Sequence, residues 1–184
     1  MTVVTRRLGF AVALIFAVIL TLAVPAREAA AGDSYVLVKG GVYSPNANEV
    51  DQLNEGFAGE IAVGSYFWSI VGLELGGGYF EASQGGVDLT VYPLTLAAKV
   101  RIPIPVIKPY AIIGGGAYFA DLETPGGGSK SDTAYGYFGG VGVDFKLAFL
   151  LINIEAKYLV AQPNFGVDTN IDGYVGTVGV GLEF

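Results

Sequence analysis

The stretch Asp172-Gly-Tyr-Val-Gly-Thr-Val-Gly-Val-Gly-Leu-Glu-Phe184 decides the class of this chain. Its residues alternate without a break. Tyr174, Gly176, Val178, Val180, Leu182 and Phe184 fall on one face, and Val175, Thr177, Gly179, Gly181 and Glu183 on the other. A period of two is that of a β-strand, because successive side chains point to opposite sides of the pleat. One face carries large apolar groups and the other small or charged ones.

Outward from this segment the same pattern recurs along the chain. It predicts eight strands, over 35–43, 55–66, 71–80, 89–102, 108–120, 133–146, 151–161 and 173–184. In each, the charged residues keep to one face. Lys39 sits with Leu37 and Gly41, against Val36, Val38 and Val42. Glu60 sits with Ala58 and Ala62, against Phe57, Ile61 and Val63. Glu74 sits among Gly72, Gly76 and Gly78, against Leu73 and Leu75. Lys99 and Arg101 share a face with Thr95 and Ala97, against Leu94, Leu96 and Val100. Asp144 and Lys146 follow Gly140 and Gly142, against Val141, Val143 and Phe145. Glu155 and Lys157 follow Asn153, against Ile152 and Ile154. The fifth strand is apolar on both faces and is not oriented by this rule.

Hydrophobic residues make up 52% of the 184, and mean hydropathy is +0.53. After residue 24, no apolar run approaches the ~20 residues that a membrane helix needs. Hydrophobicity without helical spans points to a barrel, the other structure that satisfies every backbone group in lipid. The expected fold is all-β: a single domain forming a closed eight-stranded antiparallel up-and-down transmembrane β-barrel.

Alternation alone does not say which face is inside. A soluble ligand-binding barrel turns its apolar face inward, and three features argue for the reverse. The charged face is mostly Gly, Ala and Thr, a thin coat for a solvated surface but suited to a narrow lumen. Its charges balance, with Lys39, Lys99, Arg101, Lys146 and Lys157 against Glu60, Glu74, Asp144, Glu155 and Glu183. Charges inside a barrel must pair, whereas those on a surface need not. Aromatic residues gather at two levels, as in the girdles that flank the apolar band of membrane barrels. Tyr66, Phe67, Trp68, Tyr110, Phe145, Phe149 and Phe184 are expected at one level. Tyr43, Tyr79, Tyr92, Tyr118, Tyr135 and Tyr174 are expected at the other.

The connections alternate in kind. Those at 44–54, 81–88, 121–132 and 162–172 are long and polar, and those at 67–70, 103–107 and 147–150 are short. This places long loops outside, short turns in the periplasm, and both termini on the periplasmic side. Ahead of the strands, Arg6 and Arg7, an apolar run from Phe10 to Val24, and Ala29-Ala30-Ala31 compose a secretory signal peptide over 1–31. The barrel domain is then 32–184. Removing 1–31 takes away Arg6, Arg7, Arg27 and Glu28 and leaves seven basic and sixteen acidic residues, net −9. That balance argues against a nucleic-acid partner.

Four stretches then carry a resemblance: Val91-Tyr-Pro-Leu-Thr-Leu-Ala-Ala-Lys99, Lys108-Pro-Tyr-Ala-Ile-Ile-Gly-Gly-Gly-Ala-Tyr118, Gly139-Gly-Val-Gly-Val-Asp-Phe145 and Ile154-Glu-Ala-Lys-Tyr158. With the closing strand, the chain resembles the small eight-stranded outer-membrane barrels of the OmpX, Ail and OmpA transmembrane-domain group. The resemblance implies a bacterial outer-membrane location, a monomer in contact with lipid and lipopolysaccharide, and Phe184 as part of the signal read by the assembly machinery. The peptidoglycan-binding domain that OmpA carries after its barrel is not expected here, since the strand closes at Phe184.

With His 0 and Cys 0, no zinc, haem or disulfide chemistry is open. The enzymes of the resembling barrels use histidine, and Ser44, Ser83 and Ser131 have only loop carboxylates for a base. No cofactor and no catalysis are therefore expected. The ten lumen charges Lys39, Glu60, Glu74, Lys99, Arg101, Asp144, Lys146, Glu155, Lys157 and Glu183 are read as a structural network filling an interior of side-chain width, with Glu60, Glu74, Lys99 and Arg101 at its centre. In the long connections, Glu49, Asp51, Glu55, Glu81, Asp88, Asp121, Glu123, Asp132, Asp168 and Asp172 face only Lys130. Such carboxylates suit divalent cations that bridge to lipopolysaccharide phosphates. The functional expectation is a role in envelope integrity or surface interaction through the outer loops. A narrow pore or lateral route for a small solute, and a soluble periplasmic ligand-binding barrel, are the alternatives.

Overall fold

A computed structural model describes residues 33–46, 55–84, 87–124, 128–162 and 171–184. The signal-peptide segment lies outside the described residues. The strands are β1 (Ser34–Pro45), β2 (Gly56–Phe67), β3 (Val71–Gln84), β4 (Val87–Arg101), β5 (Ile107–Thr124), β6 (Gly128–Leu147), β7 (Leu150–Ala161) and β8 (Gly173–Glu183). Each pairs antiparallel with its sequence neighbours, and β8 pairs with β1 from Tyr35↔Glu183 to Pro45↔Gly173. The barrel is closed, so no strand edge is left within its wall.

The wall is apolar outward. Leu96, Ile113, Val141, Val178 and Val180 are more than half exposed, while Lys39, Glu74, Lys99 and Glu155 are at most 3% exposed. The soluble, apolar-in alternative is thereby set aside. β5 is now oriented: Lys108, Tyr110, Ile112, Tyr118 and Ala120 point inward, and Ile107, Ile113 and Phe119 outward.

Two expectations are corrected. The first concerns strand length. Connections 81–88 and 121–132 are not loops. β3 runs to Gln84 and β4 starts at Val87; β5 runs to Thr124 and β6 starts at Gly128. The ladders continue through Ser83↔Asp88 and Glu123↔Ser129. In these outer halves the polarity of the two faces inverts. Ala82, Leu89, Val91, Ala120 and Ala134 point inward and are buried, while Glu81, Ser83, Asp88, Glu123 and Ser131 are exposed. Beyond the lipid, the outer face meets water, so the apolar face must turn inward as in a soluble barrel.

The second concerns the aromatic levels. Tyr43, Tyr66, Tyr110 and Tyr118 lie inside the lumen, each at most 4% exposed. Tyr43 shares strand parity with Lys39, and Tyr66 with Glu60, so both must point where those charges point. The outward members form the girdles. Tyr79 stacks near Tyr92 at 5.5 Å and Tyr158 near Tyr174 at 4.8 Å at the outer level; Phe67, Trp68, Phe149 and Phe184 are exposed at the inner level.

Two of the short turns are tight. Trp68 (φ 51°) and Ser69 (φ 58°), in a turn closed by Ile70 N donating to Phe67 O at 3.2 Å, and Ala148 (φ 58°), in the two-residue connection between Leu147 and Leu150, adopt left-handed backbone conformations of the kind that such hairpins demand.

Candidate functional site

The lumen is filled in three layers. Its outer half is an apolar core that includes Tyr43, Phe80, Leu89, Val91, Tyr118 and Phe138. A charged belt lies below, and a smaller cluster of Tyr35, Leu37, Ala62, Tyr66 and Leu151 packs towards the inner end.

The hub of the belt is Lys39. Its Nζ donates to Glu60 Oε1 at 2.8 Å, Glu155 Oε1 at 3.0 Å and Glu74 Oε1 at 3.4 Å. Lys157 Nζ bridges Glu60 Oε2 at 2.6 Å and Glu155 Oε1 at 3.0 Å. Lys99 Nζ holds Glu74 Oε2 at 2.9 Å and lies 3.9 Å from the centroid of the Tyr110 ring. Tyrosine hydroxyls complete the carboxylates: Tyr35 Oη donates to Glu74 Oε2 and Tyr110 Oη to Glu155 Oε2, each at 2.6 Å. Asp144 joins through Asn153, whose Nδ2 donates to Asp144 Oδ1 at 2.7 Å and to Tyr110 Oη at 2.8 Å.

Arg101 does not belong to this centre. It sits at the inner mouth, paired with Asp33 and 3.6 Å from Glu183, with its guanidinium stacked 3.7 Å over the Tyr66 ring. Glu183 Oε1 also accepts from Lys108 at 2.7 Å and from Lys146 at 2.8 Å. The expected network thus divides into a central belt (Lys39, Glu60, Glu74, Lys99, Glu155, Lys157, with Asp144 attached) and a mouth cluster (Arg101, Lys146, Glu183). The reason is strand stagger. Arg101 ends β4 and Glu183 ends β8, so both stand at the inner rim, while Lys39 lies mid-strand opposite Glu60 and Gly179.

Sequence reading missed Lys108 and Asp33, one charge of each sign. Lys108 had a usable signal: as the one charged residue of the segment 108–120, it orients that segment by the rule the others obey. Asp33 precedes the first strand and gave none.

The large inward rings fit because glycines face them. A Cβ on Gly64 would stand 2.4 Å from Tyr35 Oη, and one on Gly142 would stand 2.4 Å from Tyr110 Cζ. Both strands can therefore carry a bulky ring only opposite a missing side chain.

The central belt is a set of paired charges in a closed interior, while at the mouth Arg101 Nη1 and Glu183 Oε2 face each other at 3.6 Å without a hydrogen bond. Among the described residues, no group of three or more His, Cys, Asp or Glu could hold a metal ion. Of the loop carboxylates read as suited to divalent cations, Glu49, Asp51 and Asp168 lie outside the described residues. Asp172 itself closes its loop, with Oδ1 accepting from Ala161 N at 2.9 Å. Phe184 sits on the seam of the barrel: its N donates to Ser34 O at 2.8 Å, its O accepts from Ser34 N at 3.0 Å, and it is 63% exposed.

No curated protein sequence matches the chain. Solved structures share its fold. Neisserial surface protein A is 16% identical with a TM-score of 0.65, over 82% of this chain and 95% of that one. Ail, the attachment invasion locus protein of Yersinia pestis, is 18% identical with a TM-score of 0.58, over 83% and 99%. The outer membrane protein OprG of Pseudomonas aeruginosa is 17% identical with a TM-score of 0.58, over 84% and 97%. The outer membrane protein β-barrel domain family matches residues 14–184, and the chain, with its lipid-facing apolar wall, belongs to that family of the bacterial outer membrane.

Proposed function

We propose that this is a non-enzymatic outer-membrane barrel whose working part is the sheet that stands beyond the membrane, and that it acts in surface interaction. The carrying observation is the height of β3 to β6. β5 and β6 have 18 and 20 residues, against 12 each in β1, β2 and β7. β7 meets β6 only from Gly136 inward. The raised part has an apolar core of its own and is therefore a built platform rather than slack chain.

The platform is acidic. Glu81, Asp88 and Glu123 are exposed, and Asp88 stands beside Glu123 across the β4–β5 ladder. Neighbouring like charges repel. A partner that relieves this repulsion is cationic, or is a divalent cation shared with lipopolysaccharide phosphates. Ail has a structure solved in complex with a heparin analogue; the acidic rim argues against a polyanion for this chain. A monomer with both termini periplasmic, and Phe184 offered to the assembly machinery, complete the reading. The transport alternative is disfavoured by the apolar core that fills the outer lumen.

The test uses a deletion strain complemented with the intact chain or with a barrel trimmed by replacing 81–90 and 120–132 with two-residue turns. Adhesion to polylysine-coated and heparin-coated beads is measured. Adhesion to polylysine beads should rise with the intact chain and fall back with the trimmed one. Equal adhesion by all three strains would remove the reading.

A further inference from the structure

A deep depression in the barrel wall coincides with a break in the sheet. Along β3–β4 the paired residues run from Val71↔Val100 to Gly77↔Leu94 and resume at Phe80↔Val91. Between them stand Gly78, Tyr79, Tyr92 and Pro93. Proline has no N–H to give the ladder, which accounts for a lapse at this point. On the outer face beside the lapse, side chains are also missing: Gly59 and Gly77 have outward parity, and Gly40, the ladder partner of Gly59, has nothing within 4 Å of where its Cβ would stand.

The result is a cavity of about 380 Å³, walled by Val38, Phe57, Ile61, Leu94 and Phe119, with Tyr79 and Tyr92 at its outer end. Its size and apolar lining are those of a small-molecule site. It is also lined by the lumen residues Lys39 and Glu60, but these offer a guest nothing. Lys39 Nζ is spent on three carboxylates, and both oxygens of Glu60 are taken by Lys39 and Lys157. The lumen above them is filled. The cavity is therefore a dead end that opens only towards lipid.

We propose that it seats one acyl chain of an outer-leaflet lipid. The depression is continuous with the lipid-facing wall, where hydrocarbon is the solvent. Its tyrosines stand at the outer end, at the level where a lipid's polar part lies, and its aliphatic walls run inward from there. A chain that lies in the depression regains contacts that the missing side chains leave unmade. This inference is independent of what the raised sheet binds.

The experiment uses the purified, refolded chain in phosphatidylcholine vesicles containing a phospholipid with a diazirine on one acyl chain. After irradiation, adducts are mapped by mass spectrometry. Peptides carrying Phe57–Ile61 and Tyr79–Leu94 should be labelled several-fold above the equally apolar wall at Val141, Val178 and Val180. Gly59→Leu, whose Cβ meets the Phe57 ring edge at 3.3 Å and Lys39 O at 3.8 Å, should bring them to that background. Gly176→Leu, another site with nothing within 4 Å, should leave the enrichment in place. Gly40→Leu replaces Gly59→Leu if the latter fails to give a heat-shifted folded band. Even labelling around the wild-type barrel, or enrichment that survives a folded filling variant, would overturn the proposal.

Discussion

Lys39 is the residue on which the charged belt depends most, because three carboxylates share its ammonium. Lys39→Met leaves Glu60, Glu74 and Glu155 with less compensation in a dry interior. Removing one partner of a buried ion pair costs ~3–5 kcal/mol, and urea unfolding of the barrel in vesicles should show a loss of that order. Lys39→Met combined with Glu155→Gln should lose less than the sum of the single changes, because the two sites are coupled. Gly142 tests the packing of the rings. Gly142→Ala pushes a methyl into the Tyr110 ring, and overpacking of this kind costs ~1–3 kcal/mol. Gly142→Ala combined with Tyr110→Ala should lose less than the sum of the single changes, since the clash is removed with the ring.

At the scale of the strand, β4 changes environment along its length. Leu96 faces lipid and is 60% exposed, while Val91 faces the outer lumen and is fully buried. Leu96→Lys should cost ~2–4 kcal/mol, as for a lysine on the lipid face near the midplane. Thr90→Lys, with outward parity above the lipid, should stay within about 0.5 kcal/mol of wild type. Val91→Asp buries a charge without a partner and should destabilise far more than Thr90→Lys, although the two residues are adjacent. All three are read from the same unfolding curves. A flat response along β4 would mean that the polarity inversion has no energetic content. The inversion was written in the sequence, since Glu81-Ala82-Ser83 and Asp88-Leu89-Thr90-Val91 alternate as strictly as the wall does. It was missed because the apolar residues had changed face, and polar residues at the ends of strands also read as loops.

For the whole molecule, closure and filling make two statements. A closed barrel in which every strand is paired resists detergent until heated, so the unheated and boiled protein should migrate differently on a gel. A single mobility would contradict the closed wall. The filled lumen predicts no steady single-channel conductance in a planar bilayer. Tyr118→Ala with Phe138→Ala empties part of the outer plug and should allow brief openings. Steady conductance in the wild type would restore the transport reading.

The sequence by itself determined the class, the strand number and the lipid-facing orientation, because each follows from period two and from the cost of exposing a charge to hydrocarbon. Eight alternating segments with their charges on one face allow few other arrangements. Tertiary structure alone decided which charges meet. Ion pairs such as Lys39–Glu155 join residues 116 apart in the chain, and their contact depends on the stagger of eight strands around the wall. No single strand carries that stagger. The same holds for the lipid-side depression, which needs Gly40, Gly59 and Gly77 from three strands to stand beside Pro93 of a fourth. A sequence shows each glycine where it is, but only the register shows that their missing side chains leave one common space.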